Sequence, residues 1–203
     1  EAGEEEKEAF YKALSQDERI LASMWVREGS LDVEAGGVTR SGYILAPSRP
    51  EELGDYIHLK NRISGEELSL SGEGVVITEK LAKLLDVQEG DRILLKEDEI
   101  RQVETVVSGI AENYFLHYVY VSPEVYETLY GEAPVWNAVY TDMVPLEEQQ
   151  EEALRMEYLE GDTVSEVTFL SGMAQRVADM LGSMDTIIYV LVIAAGLLAF
   201  VVL

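Results

Sequence analysis

Hydrophobic and polar positions are spread unevenly along this chain. The last 17 residues, Ile187 to Leu203 (IIYVLVIAAGLLAFVVL), carry no charged side chain, and Tyr189 is their only polar one. As a helix rising about 1.5 Å per residue, the run reaches roughly 25 Å, slightly short of a bilayer's hydrocarbon core. It predicts a transmembrane helix cut before its exit, carrying Ile187, Tyr189, Leu191, Ala195, Gly196, Ala199, Phe200 and Leu203. A buried helix of a large soluble core is the alternative, but such a helix normally keeps polar residues on part of its circumference. Tyr189 sits where an amphipathic ring would meet the headgroups, and Ala195 and Ala199 beside Gly196 form a small surface on which another helix could pack. Just upstream, Met173, Val177, Met180, Leu181 and Met184 lie along one stripe at helical spacing. No proline occurs between Ser171 and Leu203, so a stalk helix over 171–186 is expected to run unbroken into the span over 187–203.

Earlier segments alternate in texture. Residues 1–19 are charge-rich, with Phe10 and Leu14 one helical turn apart, and predict a solvated helical lead-in. From Ile20, short apolar stretches punctuated by Glu28-Gly29 and Gly36-Gly37 predict successive hairpins, ended by Pro47 and Pro50. GVVIT (Gly74 to Thr78), EKLAKLLDV and RILLK predict a β-α-β unit, with Thr78 capping the helix and Glu89-Gly90-Asp91 turning the chain. EIRQVETVVSGIAE and YFLHYVYVS follow as two long β-prone stretches. Ser122-Pro123 opens a short helix that Gly131 ends, WNAVYTDM predicts a strand, EEQQEEALRMEYLEG a helix and TVSEVTFL a last strand. The expected organisation is therefore an α+β domain over 20–170, between the lead-in and the stalk.

Charge limits the partners. The formal net charge is -24, from 39 acidic and 15 basic residues, all of them ahead of the apolar run. Nucleic acid and anionic membrane faces would be repelled by such a body. Between Val167 and Thr186 the one basic residue is Arg176, whereas cytoplasmic flanks tend to be rich in Lys and Arg, so residues 1–186 are expected outside the cell membrane. The chain opens on Glu1 with no basic-then-apolar leader, which with the shortened span predicts a piece of a longer protein.

Reactive constellations do not emerge. There is no cysteine and no Gly-Lys pair, and the two histidines, His58 and His117, lack metal-ligand spacing. Ser41 and Ser71 each have one glycine neighbour, but neither stands in a nucleophile elbow. Glu97-Asp98-Glu99 lacks the ligand alternation of a calcium loop and is expected as a hairpin tip in water. No catalytic, metal or cofactor-binding residue is assigned, and no cofactor is expected.

Three phrases in order go beyond pattern: GVVITEKLAKLLDVQEGDRILLK, VVSGIAENYFLHYVYVSPEVYETLYG and DTIIYVLVIAAGLLAFVVL. Together they resemble the FtsX-like/MacB-type permeases of ABC transporters, over roughly residues 43–203. The resemblance implies a mixed α+β extracytoplasmic domain of the MacB periplasmic-core type, joined to a C-terminal transmembrane helix and lacking catalytic residues. It implies as partners a separate cytoplasmic ATPase subunit, membrane lipid, the remaining permease helices, and a transported substrate or extracellular protein. A single-span, membrane-tethered binding or sensing domain is the alternative, and a tethered enzyme ranks third for want of any reactive constellation. Within ENYFLHYVYVSPEVY, alternation places Tyr114, Leu116, Tyr118 and Tyr120 on one face and Phe115, His117, Val119 and Val121 on the other. Core packing is the default for both faces, and a partner surface at Tyr114, His117, Tyr118 and Tyr120 is the functional reading.

Overall fold

A computed structural model describes residues 3–70, 72–113, 116–161, 163–170 and 189. The stalk and span expected over 171–203 lie outside the described residues, apart from Tyr189, which is helical and exposed. Among the described residues no helix is long and apolar enough to cross a membrane. The chain divides into two units, Leu14–Val144 and a second made of Glu1–Ala13 with Pro145–Leu203.

The larger unit is organised by its first strand. β1 (Ile20–Ala35) runs for 16 residues and pairs with β2 (Val38–Pro47) across Gly36 and Gly37, whose φ angles of 56° and 79° suit glycine in a tight hairpin turn. The turn expected at Glu28-Gly29 does not form. Glu28 and Gly29 stay in the ladder opposite Leu45 and Ile44. Burial explains the continuity: Met24 and Val26 are covered on one face, and Leu31 and Val33 on the other, so both halves of the strand are anchored.

Next come β3 (Val75–Thr78), α2 (Glu79–Leu85; α1 belongs to the other unit, below), β4 (Arg92–Lys96), β5 (Gln102–Ala111), β6 (Tyr118–Tyr120), α3 (Pro123–Tyr130) and β7 (Ala138–Met143). Pairings run β1–β2–β6–β3–β5–β4 and back to β1, closing six strands of the seven-stranded mixed sheet into a ring, with β7 added along the first half of β1. The α+β class is therefore as the sequence predicts. The β-α-β expectation needs correction: its strand, helix and strand are present, but β5 lies between β3 and β4, which run in opposite directions. Asp86 at φ 55° and Gly90 at φ 93° reverse the chain after α2, so no parallel crossover is made.

Alternation along the strands separates two cores. Leu31, Val33, Ile44, Val75, Ile77, Ile93, Leu95 and Val119 face inward against Leu81 and Leu85 of α2 and Tyr126 of α3. Met24, Val26, Leu45, Val76 and Tyr120 face the other way, beneath Leu53 of a 3-10 turn (Pro50–Asp55) and the segment bearing Leu59 and Leu70. Ser122 caps α3, its hydroxyl accepting from the Val125 amide at 3.2 Å, and Gly131 closes the helix at φ 75°. Thr78 occupies the cap position of α2, yet its fully buried hydroxyl makes no hydrogen bond there.

Two strand expectations are revised. Among its described residues YFLHYVYVS yields the three-residue β6, because Leu116 sits at φ 55°; the His117 carbonyl accepts from the Tyr43 amide at 2.8 Å. Gly42 makes this approach possible, since a Cβ there would lie 2.6 Å from that carbonyl oxygen. TVSEVTFL forms no strand among its described residues; Phe169 instead lies 5.6 Å beneath the Arg155 guanidinium.

The smaller unit holds α1 (Glu4–Leu14) up to Ala13 and α4 (Glu148–Leu159), with Leu154 of α4 buried. Glu147 and Gln150 form a reciprocal capping box that begins α4. Phe10 and Tyr158 meet edge to face at 6.0 Å, which accounts for the apolar spacing seen in the lead-in.

Candidate functional site

Adjacent residues of β1 must point to opposite faces, and at Arg27 and Glu28 this brings two polar clusters into the larger unit. On the face shared with the second core, β2 and β6 run parallel in a register that sets Tyr43 beside Tyr118. Their ring centroids are 5.6 Å apart, and Tyr118 stacks in turn on Tyr120 at 5.6 Å. Tyr118 donates its hydroxyl to Glu28 Oε1 at 3.0 Å, while Tyr140 of β7 donates to Oε2 at 3.4 Å. The backbone of Glu28 is clamped by Asn137, whose Oδ1 accepts from the Glu28 amide at 2.8 Å and whose Nδ2 donates to its carbonyl at 2.7 Å. Asn113 donates to the Tyr120 hydroxyl at 3.3 Å.

Electrostatics fix the direction of these bonds. Burial, aided by the Glu28 charge, pushes the Tyr118 and Tyr140 phenols well above their ordinary range. Tyr120 is pushed up to about 12, mainly by burial. All three therefore keep their protons at neutral pH, and Tyr118 and Tyr140 act as donors to a carboxylate that only accepts. No cation pairs with Glu28 among the described residues. Tyr43 is 37% exposed, Tyr118, Tyr140 and Glu28 are half-buried, and Tyr120 is buried beneath them.

The opposite face holds a compensated cluster. Glu97 is not in water as its place in an acidic tip suggests: its side chain is only 9% exposed, with Oε1 3.6 Å from Arg27 Nη2 and Oε2 3.4 Å from Arg101 Nε. Arg101 also pairs with Glu132 at 2.7 Å and lies 5.2 Å over the Tyr130 ring, which packs 4.5 Å from Tyr126. The β4–β5 hairpin tip is indeed there, but it folds its first carboxylate back onto β1 and α3.

Of the residues singled out by alternation, Tyr118 and Tyr120 stand in the tyrosine stack and Tyr114 lies outside the described residues. His117 contributes its carbonyl to the Tyr43 contact; burial first, then Lys80 and Arg40, depress its imidazole pKa. Glu28, Tyr43, Tyr140 and the two asparagines complete the surface and were not read from the sequence. Their signal was available in part: Tyr43 alternates with Leu45 in SGYILAP, and Tyr140 with Ala138 in WNAVYTDM. Glu28 was masked by the glycine that follows it, which suggests a turn.

Two hollows of about 400 Å³ and 410 Å³ lie elsewhere in this unit, one beside Arg62, Glu79 and Lys83 and the other beside Gly36, Leu85 and Arg92. Among the described residues no group of three or more acidic or histidine side chains could hold a metal ion. No protein-family model matches the sequence, and no curated protein does. Among solved structures, the chain is similar to the extracellular domain of the noncanonic ABC-type transporter YknZ from Gram-positive bacteria, with 13% identity and a TM-score of 0.46 over 73% of this chain and 77% of that one. It is also similar to the periplasmic region of MacB from Actinobacillus actinomycetemcomitans, with 14% identity and a TM-score of 0.42 over 73% of this chain and 71% of that one.

Proposed function

We propose that this chain is a noncatalytic extracytoplasmic module of an ABC transporter permease subunit. It acts outside the cell membrane with a cytoplasmic ATPase and passes motion of the membrane helices to a substrate or an extracellular partner. One observation carries the reading: two of the three phrases that resemble the FtsX-like/MacB-type permeases interleave as four neighbouring strands of one ring, β6–β3–β5–β4, with α2 and α3. The third phrase supplies the expected span over 187–203, entered from a stalk over 171–186.

Sidedness is directly testable because the chain contains no cysteine. In intact cells making the full-length permease, Glu99→Cys at the exposed β4–β5 tip is expected to react with a membrane-impermeant maleimide, whereas labelling only after permeabilisation overturns the assignment. Coupling is tested in the reconstituted transporter with its ATPase. Ser183→Pro would remove a helix donor within the stalk, at a local cost of about 3 kcal/mol or more. It is expected to lower the transport achieved per ATP hydrolysed while the labelled outer domain stays folded. Unchanged transport per ATP would instead favour a loosely tethered binding domain.

A further inference from the structure

Several half-buried carboxylates among the described residues of the larger unit carry cations. Glu34 pairs with Lys96, Glu79 with Arg62 and Lys83, and Glu97 with Arg27 and Arg101. Glu28 is half-buried and held by two phenols, but no cation faces it among the described residues. A desolvated negative charge held only by neutral donors attracts a cation strongly. Each of its oxygens accepts one phenolic hydrogen bond here and retains capacity for another.

The groups around it suit the same guest. Tyr118 both bonds Glu28 and packs against Tyr43 at a tilt, so the carboxylate and the exposed Tyr43 ring belong to one contiguous surface. Aromatic faces attract cations, and a planar, weakly hydrated guanidinium stacks on them better than an ammonium does. The exposed Tyr43 ring and the half-buried Glu28 suit a protruding side chain that presents a flat face to the ring and a charge to the carboxylate. The net charge of -24 would draw a basic partner towards it.

We propose that Glu28, Tyr43 and Tyr118 form the docking point for a cationic side chain, arginine before lysine, of an extracellular polypeptide. The proposal rests on the extracytoplasmic reading only for the location of that polypeptide. Its test uses neither ATP nor transport, so the two can fail separately.

The probe is a labelled nonapeptide with one central arginine among neutral residues, titrated by fluorescence anisotropy against the full chain in nonionic detergent. Replacing that arginine with citrulline, a neutral isostere, is expected to weaken binding by about tenfold. Glu28→Gln should weaken the arginine peptide by about tenfold as well, since its amide oxygen can accept from one tyrosine and its NH2 can donate to the other hydroxyl, but it carries no charge. Tyr43→Ala should cost about threefold and Tyr43→Phe almost nothing, because the ring face is retained. Glu99→Gln, at the exposed hairpin tip, removes the same charge elsewhere and should leave affinity nearly unchanged.

Equal losses for Glu28→Gln and Glu99→Gln would overturn the proposal by showing attraction to overall charge alone. Citrulline binding equal to arginine binding would overturn it too. So would Glu28-dependent capture by phosphatidylcholine vesicles without peptide binding, which would make the guest a lipid headgroup. Should Glu28→Gln fail to fold, the exposed Tyr43 pair decides: Tyr43→Ala binding like the unmodified chain overturns the proposal.

Discussion

Arg27 and Glu28 are neighbours in one strand, yet the carboxylate on each side of the sheet is stabilised in a different way. On the Arg27 side, Glu97 is nearly buried and its charge is met by two guanidiniums, which also tie the β4–β5 tip and α3 to β1. On the Glu28 side, the charge is met only by phenolic hydroxyls. The first arrangement draws both counter-charges from within the unit and has a structural role. The second satisfies the hydrogen bonds but leaves a charge uncompensated, the condition under which an outside cation gains most. What separates a structural from a recognition carboxylate here is the presence of a counter-charge, since both are partly withdrawn from water.

The largest expected effect tests that contrast directly. Glu97→Gln takes the anion from Arg27 and leaves Arg101 with Glu132 alone. Removing one partner of a fully buried pair typically costs 3–5 kcal/mol, but Arg101 is 38% exposed, so a loss of about 2 to 3 kcal/mol in urea unfolding is expected. Glu28→Gln should cost about 1 kcal/mol or less, because the amide oxygen can still accept a phenolic hydrogen bond and no cation is stranded. Equal destabilisation by the two substitutions would break the comparison.

A smaller effect sharpens the Glu28 side. Tyr118→Phe keeps the ring between Tyr43 and Tyr120 but deletes the donor 3.0 Å from Glu28, which should cost about 1 to 2 kcal/mol for a bond to a charged group. In a Glu28→Ala background the same substitution should cost almost nothing. A double-mutant cycle with no coupling between the two positions would show that the phenol bonds water rather than the carboxylate.

These clusters also mark what a sequence reveals and what it withholds. Elements with strong local signals were legible: Ser122-Pro123 and Gly131 bound α3, Leu81 and Leu85 set the buried side of α2, and Gly36-Gly37 turns the hairpin. Signals that depend on a distant partner were not. Gly29 looks like a turn until Ile44 is opposite it, and Thr78 looks like a capping hydroxyl until burial removes its partner. At the site, alternation found Tyr118 and Tyr120, which share a strand. Glu28, Tyr43 and Tyr140 come from three other strands, and only the pairing order brings them together. Glu97 was misplaced for the same reason: Arg27 lies 70 positions away in sequence and a salt-bridge length away in space.

The smallest effect concerns a third carboxylate, which shows what full compensation looks like near solvent. Glu79 opens α2 and is gripped by Arg62 at 2.9 Å and Lys83 at 2.7 Å. Hydrogen bonds from Arg62 and then Lys83 lower its pKa from 4.5 to about 2. A carboxylate whose pKa is depressed by folding adds stability above the unfolded value and loses it as the proton returns. The contribution of Glu79 should therefore be intact above about pH 4.5 and fade as pH falls towards 2. The exposure of its partners Arg62 and Lys83 to solvent keeps the effect small and makes it shrink with added salt. Arg62→Ala should flatten this part of the stability profile between pH 5 and pH 2, with only a small loss of stability at pH 7. A slope in this window that survives both Arg62→Ala and Glu79→Gln would assign the acid sensitivity to another carboxylate.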